Sequence, residues 1–329
     1  ENQRTLQYGD VIFTGSSETP DECGISSVVT VQTNEKLYLN SFCFFFRFAD
    51  LSIMLPDFAK HLFRSSNLRY QIGKTASGVT RYNVSKKMMG NVIIPVPPLP
   101  VQREIVRILD NFTELTAELT AELTAELTAR RKQYEYYRDE LFRTARDANI
   151  YFLSEISENC DNQRKPVTSG NRIAGEYPYY GASGIVDYVD DYIFDGDYLL
   201  ISEDGANLLA RSTPIAFSIS GKNWVNNHAH VLRFDTYETK RYAEIYLNSI
   251  DLSPYITGGA QPKLNQKNLN KIPISLPSPG EQRRIVSILD RFDALCNDLT
   301  QGIPAEIAAR QKQYEYYRDK LLSFPEVKA

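Results

Sequence analysis

An internal duplication constrains this chain more than any other feature. Gln102-Arg103-Glu104-Ile105-Val106-Arg107-Ile108-Leu109-Asp110-Asn111-Phe112 returns as Gln282-Arg283-Arg284-Ile285-Val286-Ser287-Ile288-Leu289-Asp290-Arg291-Phe292. Lys132-Gln133-Tyr134-Glu135-Tyr136-Tyr137-Arg138-Asp139 returns unchanged as Lys312-Gln313-Tyr314-Glu315-Tyr316-Tyr317-Arg318-Asp319. Both blocks recur at an offset of 180, so nothing is gained or lost between them. A period this long means duplicated domains and not a solenoid of small units. The length of 329 residues suits two such copies.

Both copies read as long helices. Ile105, Ile108/Leu109, Phe112, Leu115, Leu119, Leu123 and Leu127 step by three or four, and Ile285, Ile288/Leu289, Phe292, Leu295, Leu299, Ile303 and Ile307 repeat the stripe. About 40 residues at 1.5 Å each give rods of roughly 60 Å. Packing the two rods on each other is the simplest way to bury matched stripes, and an antiparallel pair is expected. The first rod carries Thr116-Ala117-Glu118-Leu119 three times in tandem, ending at Leu127. Each unit adds about 6 Å of helix and turns the stripe by about 40°, so the segment behaves as an adjustable spacer. In the second rod Gly302-Ile303-Pro304 falls at the matching place, and proline predicts a break or kink.

Proline-rich punctuation, Ile94–Pro100 and Ile272–Pro279, precedes each rod and predicts a last strand followed by a stiff turn. Upstream of each lies a globular segment with strand-like runs, and Gly9-Asp10 and Gly196-Asp197 look like corresponding strand starts. The expected organisation is a globular domain over 1–100, a helix over 101–145, a second domain over 146–280 and a second helix over 281–324, interrupted near 302–304. The second domain has about 46 residues ahead of its Gly-Asp pair and the first has eight, so the first is expected to begin part-way in.

The net charge of −4 argues against a protein that coats nucleic acid, but the charges are unevenly placed. From Phe58 to Pro100 there is no acid, while Lys60, Arg64, Arg69, Lys74, Arg81, Lys86 and Lys87 are basic. The matching stretch of the second copy carries Lys240, Arg241, Lys263, Lys267 and Lys271 against Glu244 and Asp251. Cations placed just before each rod are suited to phosphate contacts. Side chains able to stack or to read base edges lie among them. The candidate DNA-binding residues are Lys74, Arg81, Tyr82, Asn83, Lys86 and Lys87 in the first copy. In the second they are Lys222, Asn223, Asn226, Asn227, His228, Gln261, Lys263, Asn265 and Lys267. Ser77-Gly78 and Gly258-Gly259 mark loops that can approach a backbone closely.

Motifs for chemistry are missing from the sequence. It has no GxxxxGK[ST] loop, no GxGxxG after a strand, and no HExxH or CxxC spacing. Pro56-Asp57-Phe58-Ala59-Lys60 lacks the second acid of a nuclease core. His228-x-His230 would place both rings on one strand face, a structural or DNA-facing pair with no third ligand in view. The four cysteines lie far apart and read as reduced, mostly buried thiols of a cytoplasmic protein. No run approaches 18 apolar residues, and Glu1-Asn2-Gln3-Arg4 lacks the pattern of a signal peptide. Read alone, the residues suit a two-site DNA reader. A coiled-coil adaptor displaying two protein-binding domains, or a DNA enzyme acting alone, stays open.

Two divergent globular segments, each followed by QRxIVxILDxF and KQYEYYRDxL, resemble the specificity subunit of type I restriction-modification enzymes. The tandem Thr-Ala-Glu-Leu units look like the IC group of that family. The resemblance covers essentially the whole chain. It implies an α+β fold: two mixed α/β target recognition domains, separated and joined by two long antiparallel helices that form a coiled-coil-like rod. It further implies a non-catalytic subunit that reads a bipartite site in double-stranded DNA, with the helices as a ruler for the spacer. The implied partners are two modification subunits, carrying S-adenosylmethionine, and restriction subunits using ATP and Mg; the chain itself is implied to hold no cofactor or metal, and no membrane is involved. The identical Lys-Gln-Tyr-Glu-Tyr-Tyr-Arg-Asp blocks are expected to dock one partner twice, through Gln133, Tyr134, Tyr137 and Arg138 and through Gln313, Tyr314, Tyr317 and Arg318. The other use of the block is to close the helix pair against the opposite domain.

Overall fold

The computed structural model describes residues 4–259 and 261–325, so residues 1–3, on which the signal-peptide reading partly rests, lie outside it. The chain forms two compact units: Glu1–Leu127 with Leu299–Ala329, and Thr128–Asp298. The long helix, Leu99–Arg143, contributes its first part to one unit and its last part to the other.

The second unit is built on an antiparallel sheet in which Tyr198–Ser202 lies between Ala216–Ile219 and Ala229–Arg233, with Glu158–Asn159 at the edge. One face packs on the helix Tyr237–Ser249, which starts where the Thr236 side chain accepts from the Thr239 amide. Leu199, Ile201 and Leu232 of the sheet share a core with Tyr242, Ala243 and Leu247 of that helix. Ile285, Val286 and Leu289 of the helix Pro279–Asn297 join the same core, which explains the apolar stripe of the repeated block. Burying each such side chain is worth roughly 1.5–3 kcal/mol. On the opposite face Leu200, Ile219 and Val231 share a core with Phe194 and Val225 of a second sheet, in the order Gly184–Val189, Ala174–Gly181, Lys222–Val225, Phe194–Asp195. Pro273–Leu276, from the proline-rich stretch, pairs antiparallel with Asn149–Phe152. The last part of the long helix runs antiparallel to Pro279–Asn297: Arg131 bonds Asn297, and Tyr137 lies 5.8 Å from Phe292.

The first unit repeats the plan. Val11–Thr14 lies between Ser26–Val28 and Cys43–Phe46, again antiparallel. Val11 and Phe13 pack on Phe58 and Leu62 of the helix Pro56–Leu62, on Leu68 and Ile72 of Ser66–Gly73, and on Ile105 and Leu109 of the long helix. The helix Ile303–Leu321 runs antiparallel to the first part of the long helix, with Tyr317 stacked on Phe112 at 5.5 Å and Thr113 bonded to Tyr314. The second helical stretch is thus two helices. Pro279–Asn297 ends, Gly302 caps the next in extended conformation, and Pro304 sits in its first turn, where a missing amide costs nothing. The α+β class and the antiparallel helix pairing hold in each unit.

The repeated block also locks each globular segment to its helix. Buried Gln102 accepts from the Leu55 amide and donates to the Ile53 and Pro97 carbonyls; buried Gln282 accepts from the Thr239 hydroxyl and donates to the Pro277 carbonyl. Asp110 holds Lys60 and His61 at 2.9 and 2.8 Å, and Asp290 holds Arg241 and Tyr237 at 2.7 and 2.8 Å. Gln and Asp of QRxIVxILD therefore recur for a structural reason.

Candidate nucleic-acid interface

Two loops meet at the end of the central strand in each unit, through matching hydrogen bonds. In the second unit the Glu203 amide donates to the His228 carbonyl (2.9 Å), and the Leu264 amide donates to the Glu203 carbonyl (2.8 Å). In the first, the Gly15 amide donates to the Phe42 carbonyl (2.7 Å), and the Val84 amide donates to the Gly15 carbonyl (2.9 Å). The first loop turns on an asparagine in both copies: Asn226 accepts from the His228 amide at 2.8 Å, and Asn40 accepts from the Phe42 amide at 3.0 Å. The second loop turns on Gly258 and Gly78, at φ +82° and +146°. A Cβ there would fall 2.4 Å from the Gln261 carbonyl oxygen or 1.9 Å from that of Arg81. Only glycine fits either turn. A helical turn follows in each, Gln266–Leu269 capped by Asn265 and Lys86–Met89 capped by Ser85.

The residues singled out by sequence fall into two groups in the second unit. Asn227, His228, Gln261, Lys263 and Lys267 are exposed on or beside the two loops. Lys222 is also exposed, with its amine 4.6 Å from the Tyr192 ring and 6.0 Å from that of Tyr177; the two phenols raise its pKa. Asn223, by contrast, is fully buried and donates to the Gly221 carbonyl, and Asn226 is buried in its own turn. Asn265 is half-buried and caps a helix. Asn223 and Asn226 thus lie inside the fold, and Asn265 caps a helix from a half-buried position.

In the first unit Arg81, Asn83, Lys86 and Lys87 are exposed, and Tyr82 is half-buried in the strand Tyr82–Val84. Arg81 donates to the Ser16 hydroxyl at 2.9 Å and lies 5.0 Å over the Phe42 ring. Lys86 stands 5.4 Å over Phe44, and Lys74 4.1 Å over the exposed ring of Tyr70, at the end of a neighbouring helix. Such exposed cation–ring contacts contribute about 0.5–1 kcal/mol each. Phe42 and Ser16 escaped the sequence reading, because the register that pairs Asn40-Ser41-Phe42 with Asn226-Asn227-His228 is 186, not 180.

A buried charged cluster supports the loops of the second unit. Arg164 reaches Glu203 at 2.7 Å and donates to the Ala229 carbonyl at 2.8 Å. Lys263 meets Glu203 at 3.2 Å, and Asp161 meets His230 at 2.6 Å while accepting from the Val231 amide. Burial alone would raise the Asp161 and Glu203 carboxyls; His230 overrides it for Asp161, and Arg164 and His230 do so for Glu203, leaving both below their ordinary values. His230 faces the Asp161 carboxylate through Nδ1 at 2.6 Å and the Leu264 carbonyl through Nε2 at 2.7 Å. Asp161, Glu203 and His230 lie close enough to hold a metal. Arg164 and Lys263 already neutralise them, so the cluster reads as structural. The two histidines part company: His230 is buried on Asp161, whereas His228 is exposed on Asp204 at 2.9 Å.

The Lys-Gln-Tyr-Glu-Tyr-Tyr-Arg-Asp blocks divide by face. Tyr134 packs on the core of its unit, where burial pushes its hydroxyl up to about 12. Tyr137 and Tyr317 stack on the phenylalanines of the opposed helix, and Tyr314 bonds Thr113. Gln133 and Gln313 accept from Arg130 and Arg310. Arg138 and Arg318 are largely covered and pair with Asp139 and Asp319. Lys132, Glu135 and Tyr136 and their copies Lys312, Glu315 and Tyr316 point outward, the two tyrosines 65% and 60% exposed, and Gln313, Tyr137 and Tyr317 also keep exposed surface.

A family model for the type I restriction modification DNA specificity domain matches residues 2–129 and 146–309, nearly all of both copies. The chain belongs to this specificity family. A putative type I restriction enzyme specificity subunit of Haemophilus influenzae is 40% identical over 179 residues, covering 53% of this chain and 46% of that protein. A putative type I specificity subunit of Mycoplasma pneumoniae is 32% identical over 253 residues, 72% of this chain and 98% of the relative. The chain therefore spans under half of one specificity relative and almost all of another. A chain from a structure of type I restriction-modification assembly shares the fold, with a TM-score of 0.69 at 19% identity over 98% of this chain and 84% of that one. No helix among the described residues is long and apolar enough to cross a membrane.

Proposed function

We propose that this specificity-family chain is the non-catalytic DNA-reading subunit of a type I restriction-modification complex in the cytoplasm. Each unit reads one half of a bipartite duplex site. The observation that carries this is the duplicated pair of loops, tied by the same hydrogen bonds to the same strand end and lined by exposed cations and rings. Arg81, Asn83, Lys86 and Lys87 face one half-site with Lys74 and Tyr82 at the margin. Lys222, Asn227, His228, Gln261, Lys263 and Lys267 face the other, and Asn223, Asn226 and Asn265 shape the loops. Two modification subunits, which bring S-adenosylmethionine, dock on the repeated tyrosine blocks through the outward Lys132, Glu135 and Tyr136 and through Lys312, Glu315 and Tyr316. Gln133, Tyr134, Tyr137, Arg138 and their copies Gln313, Tyr314, Tyr317 and Arg318 hold that face in place. Restriction subunits add ATP- and Mg-dependent action, and the chain itself takes no cofactor. Titrating the chain with duplex DNA at rising salt tests the reading. Binding should weaken steeply as counterion release is suppressed; no binding at low salt, alone or with its modification subunits, would indicate a protein-binding adaptor.

A further inference from the structure

We propose that Phe42 and His228 are equivalent specificity-determining residues, one in each unit, an assignment that rests on the DNA-reading role above. Both follow an asparagine by two residues, and both donate their amide to that asparagine's side chain. Both offer their carbonyl to the residue that ends the central strand, Gly15 or Glu203. The next residue then fixes the ring: Asp204 holds His228 Nδ1 at 2.9 Å, and Ser16 holds Arg81, whose guanidinium lies 5.0 Å over Phe42. Phe42 is 51% exposed, and the His228 side chain is exposed to the same extent. A phenylalanine left half in water at a loop tip, beneath a cation, adds little to the fold. It supplies an apolar surface matched to the methyl group of thymine. His228 keeps Nε2 for an outside partner, which suits a hydrogen-bonding base edge. The two half-sites therefore differ in kind at the matching place: thymine under Phe42, a polar base edge under His228.

The test uses the full chain assembled with its modification subunits, methylating a random duplex library. Phe42→Ala and Phe42→His should relax preference at a thymine position of one half-site, on the order of ten-fold, and leave the other half unchanged. His228→Phe should alter the other half only. Melting temperature checks that each variant folds; the half-exposed rings predict little change, and Phe42→His serves should Phe42→Ala fail. Uniformly weaker methylation of all sequences, unchanged halves, or both variants altering the same half would overturn the assignment. A wild-type complex with no bipartite consensus would overturn the DNA-reading role itself and this assignment with it.

Discussion

Asp161 shows how much one side chain can organise. Its carboxylate meets His230, accepts from the Val231 amide and lies beside Arg164, which grips the backbone of the Asn226–His228 loop at Ala229. Replacing it by asparagine leaves buried partners short, so Asp161→Asn should lower stability by about 1–3 kcal/mol in a denaturant titration. Its pKa and that of Glu203 lie below their ordinary values in the folded chain, so the unfolded chain binds more protons in acid. The share of stability that these two carboxylates contribute should be constant above about pH 5 and fall as pH drops through the carboxylate range. A melting curve indifferent to pH between about 5 and 3 would remove the cluster from the stability of the fold. Arg241 is the counterpart on the helix side, bonded to Asp290, Glu244 and Asp293 at 2.6–2.8 Å. Arg241→Met should cost roughly 3–5 kcal/mol, because three acids are left facing one another. Only the local pairs, Asp161 with Arg164 and Arg241 with Glu244, sit at a helical spacing a sequence can show; the others join partners 39 to 70 residues apart through strand and helix packing that no local pattern encodes.

At the scale of elements, the helices were the most readable part. Ile105, Leu109, Ile285 and Leu289 fall on buried faces as their spacing demands, and both proline-rich runs lead into helix starts, although only the second holds the expected strand, Pro273–Leu276. At Gly302-Ile303-Pro304, where proline predicts a break or kink, one helix has ended at Asn297 and a new one opens, since the missing amide of proline suits a first turn. The short strands were less legible, because many are two to four residues long and too brief to show a period. The loop turns are testable directly. Gly258→Ala strains a left-handed residue and drives a Cβ into the Gln261 carbonyl, so it should cost about 1–3 kcal/mol and weaken recognition of one half-site. The Thr-Ala-Glu-Leu units lie inside the long helix, and each accounts for about 6 Å. Deleting one should shorten the preferred spacer between half-sites; an unchanged spacer would refute the ruler.

For the whole molecule, the duplication sets what the chain can do. A net charge of −4 conceals two loop pairs rich in cations and rings, placed by the same strand end in each unit. The sequence located most of the exposed cations, since their run from Phe58 to Pro100 is free of acid. It could not distinguish Asn223 and Asn226, which are buried, from Asn227, which is not, because burial depends on partners distant in sequence. The tyrosine blocks mix helix closure with an outward face, so Tyr136→Ala with Tyr316→Ala should abolish co-purification of modification subunits while leaving the melting temperature unchanged. The decisive measurement is the methylation consensus of the wild-type complex on a random duplex library. It should return two short defined sequences separated by a fixed run of unspecified bases, whereas one continuous sequence or no preference at all would rule out two units reading two half-sites.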